Sequence, residues 1–185
     1  TKFFRCTRIL KLPRTVAMHP ANKWLVGVIS SGLIASTTMW EGTRYYAYKD
    51  IVGVPTVCQG YTGPGIIFGK KYTEEECKAF LTKELLHHRE GVLKCVNVPI
   101  GLTRSNAYTL FGYNVGISGF CSSRSVKLLN AGKLKESCIA VAKGPDGSPA
   151  WSYAGGKYVQ GLQNRRVYEM NMCLKGLDEE ANGIQ

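Results

Sequence analysis

The sequence predicts an α+β domain, a small antiparallel sheet followed by a larger helical lobe, and three observations carry that expectation. Residues 44–62 hold tyrosine, valine and threonine punctuated by Gly53, Pro55 and Gly60, as in a short bent ribbon. Thr73 followed by Glu74, Glu75 and Glu76 reads as a capping box opening a helix, with acids at its positive end. Beyond it, helical segments alternate with breaks at Val98-Pro99 and at the turn-rich run 143–149. A chain of 185 residues, 44% of them hydrophobic, suits one domain with its own core and room for an appendage.

Taken in order, residues 1–23 form a basic N-terminal segment with Lys2, Arg5, Arg8, Lys11, Arg14 and Lys23 and no acid, which supplies +6 of a net charge of +11. Such a charge favours an anionic partner, be it nucleic acid, an anionic membrane or a polyanionic cell wall. The next sixteen residues, 24–39, carry no charge. A stable membrane span needs about 20 apolar residues, so this one would enter a bilayer and hold poorly, with its basic flank keeping the N-terminus in the cytoplasm. A releasable signal anchor is the interpretation adopted. A signal peptide cleaved near Ala35 and Ser36 and a plain core helix are the alternatives.

The stretch Trp40 to Gly63 begins the third segment, 40–185, and sets Glu41, Asp50 and Thr56 in order around turn residues. Two carboxyl groups and a hydroxyl are what glycosidic cleavage asks for. One acid protonates the leaving oxygen, and a second, ionised carboxylate steadies the transition state or activates water. Glu41, after the apolar run Ser36 to Trp40, is expected to be partly desolvated and protonated, and Asp50 beside Lys49 to be ionised. Two acids and a threonine in such a window are common, and the bare pattern by itself more often marks a surface Glu and a turn Asp.

Further along, Ile66-Ile67-Phe68 between Gly65 and Gly69 is expected to be a short strand. Cys77, Phe80, Leu81 and Leu85 form the buried face of the capped helix, and His87 and His88 stand at its end. Adjacent helical positions diverge, so the histidine pair is not a metal site. Thr103 is expected to cap a helix over 104–114 ending at Gly116. Ser122 or Ser123 starts another through Leu129, and 133–141 makes one more. Asn114 suits either a sugar contact or a helix C-cap. Trp151 and Tyr153 are expected in the core, with sugar stacking the alternative. A last helix runs from Gly161 to Leu174, and the acidic tail from Asp178 is expected to fray. Seven cysteines without a CxxC pattern argue against zinc or redox chemistry.

The run Tyr48-Lys49-Asp50-Ile51-Val52-Gly53-Val54-Pro55-Thr56-Val57-Cys58-Gln59-Gly60-Tyr61-Thr62-Gly63 resembles the catalytic hairpin of the phage-type, T4-like lysozymes. The pieces Phe111-Gly112-Tyr113-Asn114-Val115-Gly116, Tyr153-Ala154-Gly155-Gly156 and Gly161-Leu162 with Arg165-Arg166 are similar to that family too, so the likeness spans about 40–175. It departs where family members often carry Gly and His and this chain has Cys58 and Tyr61. The resemblance implies an α+β, lysozyme-like fold, a small sheet plus a helical lobe with the cleft between them. It implies Glu41 as general acid, Asp50 as the carboxylate that positions water and Thr56 as its hydroxyl partner, with inversion at the anomeric carbon. Tyr61, Tyr113 and Asn114 are the candidate substrate-binding side chains. Local order and the resemblance suggest disulfides Cys58 with Cys77 and Cys138 with Cys173, leaving Cys95 for Cys121, while Cys6 stays free.

The implied activity is that of a muramidase acting on peptidoglycan in host lysis, without metal or organic cofactor and without nucleic acid, as a monomer. Likeness to the signal-arrest-release endolysins implies a chain held inactive at the inner membrane through 24–39 and then freed into the periplasm. A non-enzymatic cationic protein binding membrane or nucleic acid is the alternative.

Overall fold

The structure, a computed structural model, describes residues 18–50 and 52–184; most of the basic segment, with Cys6, lies outside them. The first described element is a 3-10 helix, Pro20–Leu25. Helix α1, Ser31–Glu41, follows, with the Ser30 hydroxyl accepting the Leu33 N–H. Strands β1, Arg44–Lys49, and β2, Pro55–Cys58, then pair antiparallel, with Tyr48 opposite Thr56 and Lys49 opposite Pro55. A register irregularity between Arg44 and Tyr48 bends this ribbon.

The small lobe is built on one apolar cluster in which Val57, Cys58, Tyr61, Tyr72 and Cys77 are buried and Ala47, Ile66 and Phe80 pack against them. The strand expected over 66–68 is not formed. Gly65 and Gly69 take φ of 87° and 83°, so the segment turns at both ends and leaves Ile67 and Phe68 exposed to solvent.

Helix α2, Glu74–Leu93, opens as expected, with Thr73 and Glu76 exchanging both hydrogen bonds of a capping box. Cys77, Leu81 and Leu85 are buried and Phe80 half-buried, but the helix runs past His87 and His88 for more than a turn. Helix α3, Leu102–Val115, is the centre of the larger lobe, with Ala107, Tyr108, Leu110 and Phe111 almost wholly buried. Gly101, not Thr103, is its N-cap, and Thr103 lies inside the first turn. The short α4, Ile117–Ser122, was not expected. Helix α5, Arg124–Asn130, is capped by the Ser123 hydroxyl, and α6, Leu134–Ile139, is shorter than its expected span. The two-residue strands β3, Tyr153–Ala154, and β4, Lys157–Tyr158, form a hairpin before α7, Gln160–Ala181.

Helix α7 lies along α3 and comes close to it at Gly176, where a Cβ would stand 2.6 Å from the Arg104 backbone nitrogen. The acidic tail is therefore not frayed. Glu180 accepts the Gly101 N–H at 2.7 Å and the Arg104 Nε–H at 2.6 Å, fastening the end of α7 to the start of α3. Three disulfides join Cys58 to Cys77, Cys95 to Cys121 and Cys138 to Cys173. The first ties the hairpin to α2 and the third ties α6 to α7.

Residues 24–39 form no single apolar rod. Among the described residues, no helix is long and apolar enough to cross a membrane. Leu25 is wholly buried in the main core, and Leu33 packs with Leu81, Leu85 and Leu110. Between them the Arg89 guanidinium donates to the Val28 carbonyl, to Asn106 Oδ1 and, at 3.3 Å, to Thr109 Oγ1. This buried cation has neutral partners, and burial pulls its pKa down to about 10.

Candidate active site

Glu41 is the last residue of α1 because Gly42 takes φ 69° and turns the chain away while its N–H still bonds the Thr38 carbonyl. A carboxylate at the negative end of a helix is poorly placed and needs a countercharge. Arg165 supplies it, with Nη1 donating to Glu41 Oε1 at 2.6 Å. Arg165 is 6% exposed and Glu41 25%, so the cation is fixed inside and the acid faces outward. Tyr168, nearly one turn along α7, bonds the Ser36 hydroxyl at 2.7 Å and meets the Trp40 ring edge-on, seating this end of α1. The apolar surroundings expected for Glu41 are thus replaced by an ion pair.

Glu41 opens onto a groove of about 280 Å³ between the lobes. Gln59, Gly60 and Thr62 line it from the turn after β2, Glu84 and His88 from α2, and Tyr113 and Asn114 from α3. The Tyr113 hydroxyl donates to the Gln59 carbonyl at 3.1 Å and spans from one lobe to the other. Burial first, and the neighbouring Glu41 second, push the Tyr113 phenol above its ordinary pKa, so it remains a donor. Asn114 is exposed in the groove, and its Oδ1 accepts from Arg166 Nη2 at 3.0 Å. The helix end is made by Gly116 at φ 81°, which removes the capping role from Asn114.

Asp50 and Thr56 meet at the tip of the hairpin. Asp50 Oδ1 accepts the N–H groups of Val52 at 2.9 Å and Val54 at 2.8 Å, locking the turn. The Val54 carbonyl accepts both the Asp50 N–H and the Thr56 hydroxyl, each at 3.0 Å. The threonine hydroxyl is thus bonded to the Val54 carbonyl in this structure. Asp50 and Thr56 share the Val54 carbonyl as partner, while Glu41, Tyr113 and Asn114 line the groove.

Tyr61 is not on the groove surface. It is 5% exposed, stacks on Phe80 at 4.2 Å and donates its hydroxyl to the Pro64 carbonyl, so its ring is core of the small lobe. Of the two aromatics expected in the core, Trp151 is 40% exposed with its ring edge-on to the buried Phe111 at 5.6 Å, and Tyr153 stands out in solvent at 54% exposure. The hairpin that carries Tyr153 is too short to bury it.

Beneath the groove lies a buried charge network that the residue pattern did not reveal. Glu169 Oε1 accepts from Arg165 Nε at 3.2 Å and from Arg166 Nη2 at 2.8 Å. Burial pushes the Glu169 carboxyl up to about 7 against the pull of Arg166 and Arg165, and it lowers Arg166 to about 10. The i, i+3 and i+4 spacing of these residues on one helix was the available signal. The same spacing relates Glu84 and His88. His88 Nδ1 lies 2.9 Å from the Glu84 carbonyl and its ring meets Tyr113 at 4.9 Å, placing it on the groove wall.

Comparison with known proteins agrees with this architecture. The phage lysozyme family matches residues 38–169, a span that holds Glu41, Asp50 and Thr56. The chain is 40% identical over 172 residues to a SAR-endolysin of Bacteriophage PS119, covering 87% of this chain and 99% of that protein. It is 42% identical over 136 residues to a SAR-endolysin of Enterobacteria phage P21, covering 74% and 78%. Among solved structures, the muramidase domain of SpmX from Asticaccaulis excentricus superposes with a TM-score of 0.70 at 25% identity, over 80% of this chain and 97% of that one. A P22 lysozyme does so with 0.70 at 27%, over 79% and 97%. The chain belongs to the phage lysozyme family.

Proposed function

We propose that the chain is a phage endolysin, a muramidase that hydrolyses the β-1,4 bond between N-acetylmuramic acid and N-acetylglucosamine in bacterial peptidoglycan and so lyses the host. The observation that carries this is the placement of Glu41, a carboxyl at the rim of an interlobe groove backed by a buried arginine. Glu41 serves as general acid. A carboxyl that gives its proton to the leaving oxygen returns as a carboxylate, and Arg165 is positioned to receive that charge. Asp50 positions the attacking water with Thr56 beside it, which gives inversion at the anomeric carbon. For Thr56 to act, its hydroxyl turns from the Val54 carbonyl towards that water. Tyr113 and Asn114 contact the sugars.

The enzyme acts as a monomer in the periplasm, after tethering to the inner membrane through residues 24–39. In the docked form Leu25, Val28 and Leu33 occupy the fold, and α1 ends in Glu41. While those residues lie in lipid, Glu41 is held at the interface and the groove lacks its acid. The naming of the relatives as SAR-endolysins and the basic flank of this segment support such a two-place life.

Turbidity of outer-membrane-permeabilised cells tests the enzymatic role. Wild type clears the suspension, and Glu41→Gln, folded equally well, does not. Clearing that survives the substitution refutes hydrolysis and favours disruption of membranes by a cationic protein.

A further inference from the structure

The side chain of Glu169 is completely buried, on the turn of α7 that follows Arg165 and Arg166. Its Oε1 accepts from both arginines, and each arginine continues to a different wall of the groove. Arg165 reaches Glu41 through Nη1 at 2.6 Å, and Arg166 reaches Asn114 Oδ1 through Nη2 at 3.0 Å. Two buried guanidinium groups side by side repel each other and are costly without a countercharge. Glu169 is the one carboxylate among the described residues that bonds both. Arg165 Nη2, Arg166 Nε and Arg166 Nη1 are buried without a hydrogen-bond partner. The orientation of the two forks therefore depends on few contacts: Glu169 behind them, Glu41 and Asn114 in front, and for Arg166 the Phe111 ring at 4.9 Å.

We propose that Glu169 is a positioning residue of the hydrolytic site: through Arg165 it aims Glu41, and through Arg166 it aims Asn114, so that one buried carboxylate sets the acid and a sugar-binding wall together. This rests on Glu41 being the general acid. The removal of its charge frees both forks at once, and a reacting group displaced by about 1 Å loses up to about 10²-fold in rate.

The test is steady-state kinetics on purified peptidoglycan with the full chain, at a pH above the value of about 7 at which the Glu169 carboxyl ionises, normalised to the folded fraction from thermal unfolding. Glu169→Gln, which keeps the shape and removes the charge, is made alone and together with Arg165→Ala, with Glu41→Gln as control. A fall in kcat of at least about tenfold is expected for Glu169→Gln alone, with a rise in KM from the Asn114 arm. In the Arg165→Ala background the same substitution leaves kcat within about twofold, because the route to Glu41 is already cut. A residue that only stabilised α7 would lower the melting temperature and leave kcat per folded molecule unchanged. That result, or an equal fall in both backgrounds, overturns the proposal. Should Glu169→Gln not fold, Glu169→Asp, which keeps the charge and shortens the reach, takes its place, and full kcat per folded molecule then overturns it. Turnover persisting in Glu41→Gln refutes the general-acid role separately.

Discussion

Replacing Leu33 by alanine is expected to cost about 3 kcal/mol of stability, because the side chain is wholly buried and is held by three other leucines. Leu81 and Leu85 on α2 and Leu110 on α3 surround it, so the vacated volume has rigid walls from two long helices and closes only in part. For a domain of this size, each kcal/mol moves the melting temperature by about 2–4 °C, which places the expected fall near 6–12 °C. Circular dichroism of the oxidised protein during heating reads it, and a parallel kinetic assay well below the transition reads the consequence for Glu41, eight residues further along the same helix. Lytic activity is expected to follow the folded fraction. A loss under about 1 kcal/mol would show that α1 is not seated against α2 and α3 in the folded enzyme, and with it would fall the claim that residues 24–39 dock into the domain to complete the site.

Three further outcomes follow from the same contacts. Arg165→Ala leaves Glu41 at a helix C-terminus without its countercharge and is expected to lower kcat by about 10²-fold, measured on purified peptidoglycan; an unchanged kcat would refute the role of the ion pair. His88→Ala removes a groove wall without touching Glu41 or the hairpin, so KM rises several-fold while kcat changes little, and a loss confined to kcat would contradict its placement. The Glu169 carboxyl has a folded pKa of about 7, above the ordinary 4.5, so the folded state binds the extra proton between those values. Its contribution to stability is therefore full below about pH 4.5 and lost as pH rises through 7. The melting temperature of wild type relative to Glu169→Gln is expected to fall across that window, and a rise would reverse the sign of the argument.

The parts of this protein legible in its sequence are those decided locally. Thr73 and Glu76 form their box because a capping box needs only four consecutive residues, and Ser123 caps α5 for the same reason. The hairpin strands appear where Gly53, Pro55 and Gly60 punctuate them. What was misjudged depends on distant partners. Nothing near Glu180 tells that Gly101 and Arg104 await it across the lobe, so a tail bonded at both oxygens looked free. Thr103 resembles a cap, yet Gly176 lets α7 approach α3 there and the helix begins two residues earlier. Tyr61 has the residue type of a sugar contact, but Phe80, nineteen positions away, claims its face. At the site itself, Glu41 and Asp50 were visible as acids in a suggestive window, whereas Arg165, Arg166 and Glu169 acquire their meaning only when α7 lies beside α1.

The identity of the sugar ends produced from purified peptidoglycan tests the central claim most directly, since it records the chemistry done by Glu41 and the Asp50 hairpin. Mass analysis of the released muropeptides is expected to find hydrated, reducing N-acetylmuramic acid ends with the wild-type chain and none with Glu41→Gln. Anhydro ends, or the same fragments from both proteins, would contradict it.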